Sequence, residues 1–264
     1  MTTLEPAVGP RPAVVQSADE GAERGGEPPI VIGPADTRVR IYVWQVPVRL
    51  THWVTVGSIM VLTVTGGYIG NPFLIPSDAT VMGTMRNLHM LSAFVFLSSG
   101  LLRTYWLFAG NRFARWTAFV PTSRAQAREL VSQTAWYIFL RPRAPRVLGH
   151  NALAAGTYLI VFVLLLVQTI TGFTLAGVTG REPWASLFGW VPGVIAIQDV
   201  RLIHHFLMWA ILAFMVHHIY SALLIDHWER TGLMSSIFSG FKFVTRREIQ
   251  EARDGGVDIQ EVVE

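Results

Sequence analysis

The chain has 264 residues, 51% of them hydrophobic and 15% charged, and its mean hydropathy of +0.40 points to a membrane protein rather than a soluble domain. A formal charge of +3 with a sequence pI near 9.6 admits nucleic acid as a partner only until the arginines are located. With no cysteine, disulfides, thiolate catalysis, Cys-ligated iron–sulfur clusters and covalent C-x-x-C-H haem attachment are excluded.

Residues 1–40 are rich in Pro, Gly, Ala and mixed charge and have no apolar period, so they read as a disordered tail. They lack the basic start and apolar run of a signal peptide, which leaves the first apolar stretch to act as both signal and span. A bilayer core about 30 Å thick needs roughly 20 helical residues, and four stretches are long enough: about 48–69, 86–108, 150–178 and 202–225. The expected fold is an all-α membrane protein, a four-transmembrane-helix bundle over residues 41–241, with a second polar tail at 242–264.

Between the second and third stretches stand Arg112, Arg115, Arg124, Arg128, Arg141, Arg143 and Arg146 against a single acid, Glu129. The positive-inside rule assigns this loop to the cytoplasm. Four spans then put both termini in the cytoplasm, and the basic pI is explained by topology and anionic membrane lipid, so nucleic acid drops out as a partner. The tryptophan-bearing "SQTAWYIFL" and "PWASLFGWVPGVIAI" are too short or too broken to span and suit the interface.

Ionisable side chains inside a span are costly and mark a site by default. On the stated topology, His52 in "RLTHWV" lies near the cytoplasmic side and His89 in "RNLHML" near the outer side. The fourth span carries His204, His205, His217 and His218. Fourteen residues of helix rise about 21 Å and leave His204 and His218 about 40° apart in phase, whereas His204 and His217, or His205 and His218, fall about 140° apart. One stripe therefore presents His204 at the level of His89 and His218 at the level of His52.

Two bis-histidine sites suit haem. Zinc and copper sites usually take three or four protein ligands, whereas haem iron asks for two axial ones. Iron with both axial positions filled offers no open position for substrate, which favours electron transfer over catalysis. Gly57, Gly66, Gly67 and Gly70 either admit the macrocycle close to the backbone or serve close helix packing. His205 and His217 are left to polar partners, propionate contacts or helix packing, and His150 and His227 to the solvated interface.

These residues resemble the b-type cytochrome subunits of membrane-bound nickel-iron hydrogenases, a four-helix di-haem family. One family pattern matches Arg49, His52, Trp53, Thr65 and Gly66, and the other matches Arg201, His204, His205, Trp209, Phe214 and His218. The match covers about residues 42–243, with departures at Gly57, Leu202 and the His217-His218 doublet. The resemblance implies two haems b on His89/His204 and His52/His218, and hydrogenase small and large subunits at the outer face of the bacterial cytoplasmic membrane. It further implies electron flow from the outer to the inner haem and on to a quinone near the cytoplasmic side.

Arg49, Arg103, His150, Asp226 and His227 are candidates for the quinone's vicinity or, alternatively, interfacial anchors. Arg86 and Arg201 are candidate propionate contacts or mere span ends. Rival readings keep the frame and change the partner, as in gamma-type subunits of formate dehydrogenase, thiosulfate-reductase anchors and free-standing di-haem cytochromes. A more distant rival makes the histidines part of a metal or proton transporter, and another makes the chain a passive anchor.

Overall fold

The computed structural model describes residues 38–72, 79–120, 131, 135 and 152–254. In chain order the elements are β1 (Arg38–Tyr42), α1 (Val46–Gly70), α2 (Ala79–Ala109), α3 (Ala152–Val178), the short α4 (Trp184–Phe188), α5 (Ile197–Glu229), α6 (Leu233–Ser239), β2 (Phe241–Thr245) and α7 (Arg246–Asp254). Single 3-10 turns stand at Trp116–Ala118 and Val191–Gly193.

Four of these helices are long and apolar enough to cross a membrane. Large apolar side chains are exposed along them, including Leu101, Phe108, Leu166 and Val216, a pattern that lipid covers at no cost. The chain is a multi-pass membrane protein. Its spans also run past the apolar stretches: α5 has 33 residues, about 50 Å at 1.5 Å each, against a hydrocarbon core of about 30 Å. Arg86 and Arg201 consequently lie within helices, after the starts at Ala79 and Ile197, rather than at helix ends.

Local sequence explains the boundaries. A proline in the first turn of α1 gives up an N–H that has no helical partner there anyway. Helix α5 stops where Arg230 turns left-handed, at φ 52°, and donates its N–H to the Asp226 carbonyl. Gly232, at φ 69°, then reverses the chain, and the Asp226 carboxylate accepts the first N–H of α6, from Leu233, at 2.5 Å.

Packing divides the long helices into two pairs, α1 along α2 and α3 along α5. Within the first pair, Ser99 on α2 donates to the Thr51 carbonyl on α1 at 3.0 Å. Helix α4 folds back on α3, with Trp184 stacked on Phe173 at 4.0 Å.

Beyond the start of α1 and the end of α5, β1 and β2 form an antiparallel pair that sets Arg38 opposite Thr245 and Tyr42 opposite Phe241. Ile41, Val43, Val244 and Ile249 make its apolar core, with Val39, Trp44 and Phe113 packed against it. Lys242 lies in the same clasp, where burial lowers its ammonium from the ordinary lysine value against the opposing pull of Glu229, Asp226 and Glu248. The sequence pattern had assigned residues 38–40 and 242–264 to polar tails. In the structure Arg38–Tyr42 and Phe241–Thr245 pair, and α7 adds Ile249, because few but alternating apolar residues meet across the chain's two ends.

Candidate functional site

A cavity of about 730 Å³ opens between the two helix pairs, within the roughly 300–1,000 Å³ usual for cofactor-sized ligands. His89 of α2 and His204 of α5 both face it. Each ring is held from the helix packed beside it. The Nδ1 of His89 lies 2.9 Å from the Thr65 hydroxyl, and the Nδ1 of His204 lies 2.9 Å from the Thr171 hydroxyl.

The next residue in each case is glycine, and the reason is contact. A Cβ on Gly66 would stand 3.1 Å from Cε1 of His89, and one on Gly172 would stand 3.0 Å from Cε1 of His204. Gly70 makes the same kind of room for His205, at 2.9 Å. No atom lies within 4 Å of a Cβ added at Gly57 or Gly67.

The cavity's charge is one-sided. Among the described residues, Arg86, Arg181 and Arg201 line it together with His205, and no Asp or Glu does. Arg201 donates to the Gln198 side chain at 3.2 Å. The Gln168 amide nitrogen stands 3.4 Å from Nε2 of His204, while the Gln168 side-chain oxygen is buried without a partner.

Toward the other end of the long helices, the rings of His52 on α1 and His218 on α5 face each other with centroids 6.5 Å apart. The Nδ1 of His52 is buried and has no hydrogen-bond partner among the described residues. Aromatic rings surround this pair: Trp53 meets His52 edge-on at 5.0 Å, Tyr158 meets His218 edge-on at 5.9 Å, and Phe214 stacks on His218 at 5.5 Å.

The model for prokaryotic cytochrome b561 matches residues 43–240. The chain belongs to this family. Similar proteins include the probable Ni/Fe-hydrogenase B-type cytochrome subunit of Rhizobium leguminosarum bv. viciae, 37% identical over 80% of this chain and 92% of the relative. That of Azotobacter vinelandii is 39% identical over 76% and 88%. The probable Ni/Fe-hydrogenase 1 B-type cytochrome subunit of Escherichia coli (strain K12) is 33% identical over 79% and 93%. The family read from the Arg49-to-Gly66 and Arg201-to-His218 motifs is the one found.

Haem b is the group this cytochrome family implies, and the residues fit it. Among the described residues no three His, Asp or Glu side chains gather as a metal site, which disfavours zinc and leaves pairs of imidazoles. A metal bound about 2 Å from each of two facing imidazole nitrogens separates the ring centroids by roughly 6–6.5 Å, and His52 and His218 are 6.5 Å apart. The cavity adds two histidines, apolar walls and arginines suited to carboxylate groups.

The remaining candidates fall outside these two centres. Arg49 donates to the Phe238 carbonyl, and Trp53 stacks on the Phe238 ring at 4.6 Å. Arg103 donates to the Ala114 carbonyl at 3.3 Å and covers the Phe119 ring. Asp226 caps α6. His217 is exposed beside Ser221, at 3.3 Å, and His227 is exposed. His150 lies outside the described residues.

Sequence reasoning missed Thr171, Gly172, Gln168 and Arg181, saw Thr65 only within a motif, and read Gly66 as room for the macrocycle or for close helix packing. One signal was available. Thr63-Val64-Thr65-Gly66 on α1 and Thr169-Ile170-Thr171-Gly172 on α3 repeat the pattern T-x-T-G, and each copy supports a histidine on the neighbouring helix.

Proposed function

We propose that this chain is the electron-transfer subunit of a membrane-bound nickel-iron hydrogenase complex in a bacterial cytoplasmic membrane, with both termini in the cytoplasm. His89 and His204 hold an outer haem b, and His52 and His218 an inner one. The hydrogenase small subunit, with the large subunit behind it, docks on the outer side, and a membrane quinone accepts at the inner level. The observation that carries this reading is the division of the histidines into two facing pairs that share α5, with His204 and His218 separated by about 21 Å of helix rise.

When bound, the two haems supply one-electron redox chemistry between an iron–sulfur donor outside and quinone inside. The protein's part is to fix and insulate them. Neutral imidazoles ligate without placing net charge in lipid. Arg86, Arg181 and Arg201 offer guanidinium groups to haem carboxylates at the outer mouth, and His205, beside Gly70, lines the same wall.

At the cytoplasmic end, Arg49 and Trp53 join α1 to Phe238 at the end of α6, and Asp226 joins α5 to the start of α6. These ties hold the helices bearing His52 and His218 in fixed relation. Arg103 places a cation at the inner level of α2, in the vicinity proposed for the quinone.

Hydrogen added to membranes containing the intact complex should reduce both haems and then the quinone pool. Replacing His52 with Ala should stop quinone reduction and leave hydrogen-driven reduction of the outer haem. Quinone reduction at the wild-type rate in His52→Ala would overturn the proposed route.

A further inference from the structure

The two T-x-T-G segments do more than make room. A hydroxyl has one proton to donate, and a main-chain carbonyl can only accept. Thr65 donates to the Val61 carbonyl at 2.7 Å, and Thr171 donates to the Val167 carbonyl at 2.8 Å. With each proton committed, the hydroxyl oxygen offers a lone pair to the imidazole 2.9 Å away. An acceptor thus faces Nδ1 of each ring, so in the neutral imidazole Nδ1 carries the hydrogen and Nε2 is bare.

We infer that Thr65 and Thr171 are paired positioning residues that lock His89 and His204 into the Nδ1–H tautomer and thereby tune the outer haem. The inference rests on the di-haem reading above. Gly66 and Gly172 complete the device, because a Cβ at either position would stand 3.1 or 3.0 Å from Cε1 and press the ring off its threonine. The repeat is also architectural. Helix α1 buttresses the histidine of its partner α2, and α3 buttresses that of its partner α5.

Among the described residues nothing equivalent serves His52, whose buried Nδ1 has no partner there. A bound N–H···O contact raises the basicity of a ligating imidazole and favours the more oxidised metal. The threonines therefore lower the potential of the outer centre selectively.

The test compares Thr65→Val, Thr171→Val and the corresponding serine variants in the purified complex, by redox titration of the haem optical bands and by low-spin EPR. The outer signal is assigned by its absence in His204→Ala. Valine at either position should shift the outer haem's midpoint upward and move its EPR g values, leave the inner haem unchanged, and be reversed by serine. If valine instead expels the outer haem, serine should restore it. The inference is overturned by outer potentials and g values unchanged in both valine variants, by equal shifts in the two haems, or by haem loss that serine does not repair. Absence of an outer haem from the wild-type complex would instead defeat the di-haem reading itself.

Discussion

The two ends of the bundle, outer and inner on the proposed topology, hold histidines by different means. Outside, His89 and His204 are hydrogen-bonded at Nδ1 to threonines of neighbouring helices and open into a large cavity lined by three arginines. Inside, His52 and His218 are enclosed by Trp53, Tyr158 and Phe214, and the chain's two ends are tied together beyond them by a small β-clasp. One frame therefore offers two sites with different control. The outer site is set by hydrogen bonds and charge, the inner by packing and by distant chain contacts.

The contrast is broken most severely at the small residues. Gly172→Leu puts a side chain where Cε1 of His204 stands only 3.0 Å from a would-be Cβ, an overpacking that costs about 1–3 kcal/mol in a fixed frame. The ring must leave, so the variant should lose the outer haem from most molecules and keep the inner haem's spectrum. Pyridine haemochrome content per polypeptide reads both.

An effect at the opposite end, smaller on haem content, is expected from the clasp. Ile41 is 2% exposed, and its truncation to Ala should cost about 2–5 kcal/mol of local stability. Thermal melting with limited proteolysis should show earlier release of β1 and β2, with the inner haem's spectrum broadening before the outer one changes. An outer haem that responds first would mean that the clasp does not serve the inner pair.

The mildest change removes charge alone. Replacing Arg86, Arg181 or Arg201 with Gln takes a positive charge from the outer cavity and so disfavours the electron-rich form there. The outer midpoint should fall by less than about 59 mV, the one-electron equivalent of a tenfold change, since partly exposed charges are screened. The fall should shrink as salt rises, and the inner midpoint should stay fixed.

The spans were legible because length and apolarity alone make a membrane helix, and the histidine stripe because phase and rise are fixed by helical geometry. His52 and His218 do face each other, and His89 and His204 do share a cavity. What stayed hidden depends on which helices lie side by side. Thr171 and Gly172 look like any small polar pair until α3 is laid along α5, and Arg181 belongs to the cavity only because the chain after α3 turns back over it. The clasp was concealed differently. Its two strands have five residues each, carry Arg38, Arg40 and Lys242 among their apolar positions, and come from opposite ends of the chain.

The central claim, two bis-histidine haem sites sharing α5, is tested most directly by haem-to-polypeptide stoichiometry in His204→Ala and His218→Ala beside the wild type. The account predicts that each substitution halves the haem content, that the losses are of spectrally different haems, and that the double variant is colourless. Haem content unchanged by either substitution, or the same haem lost in both, would contradict it.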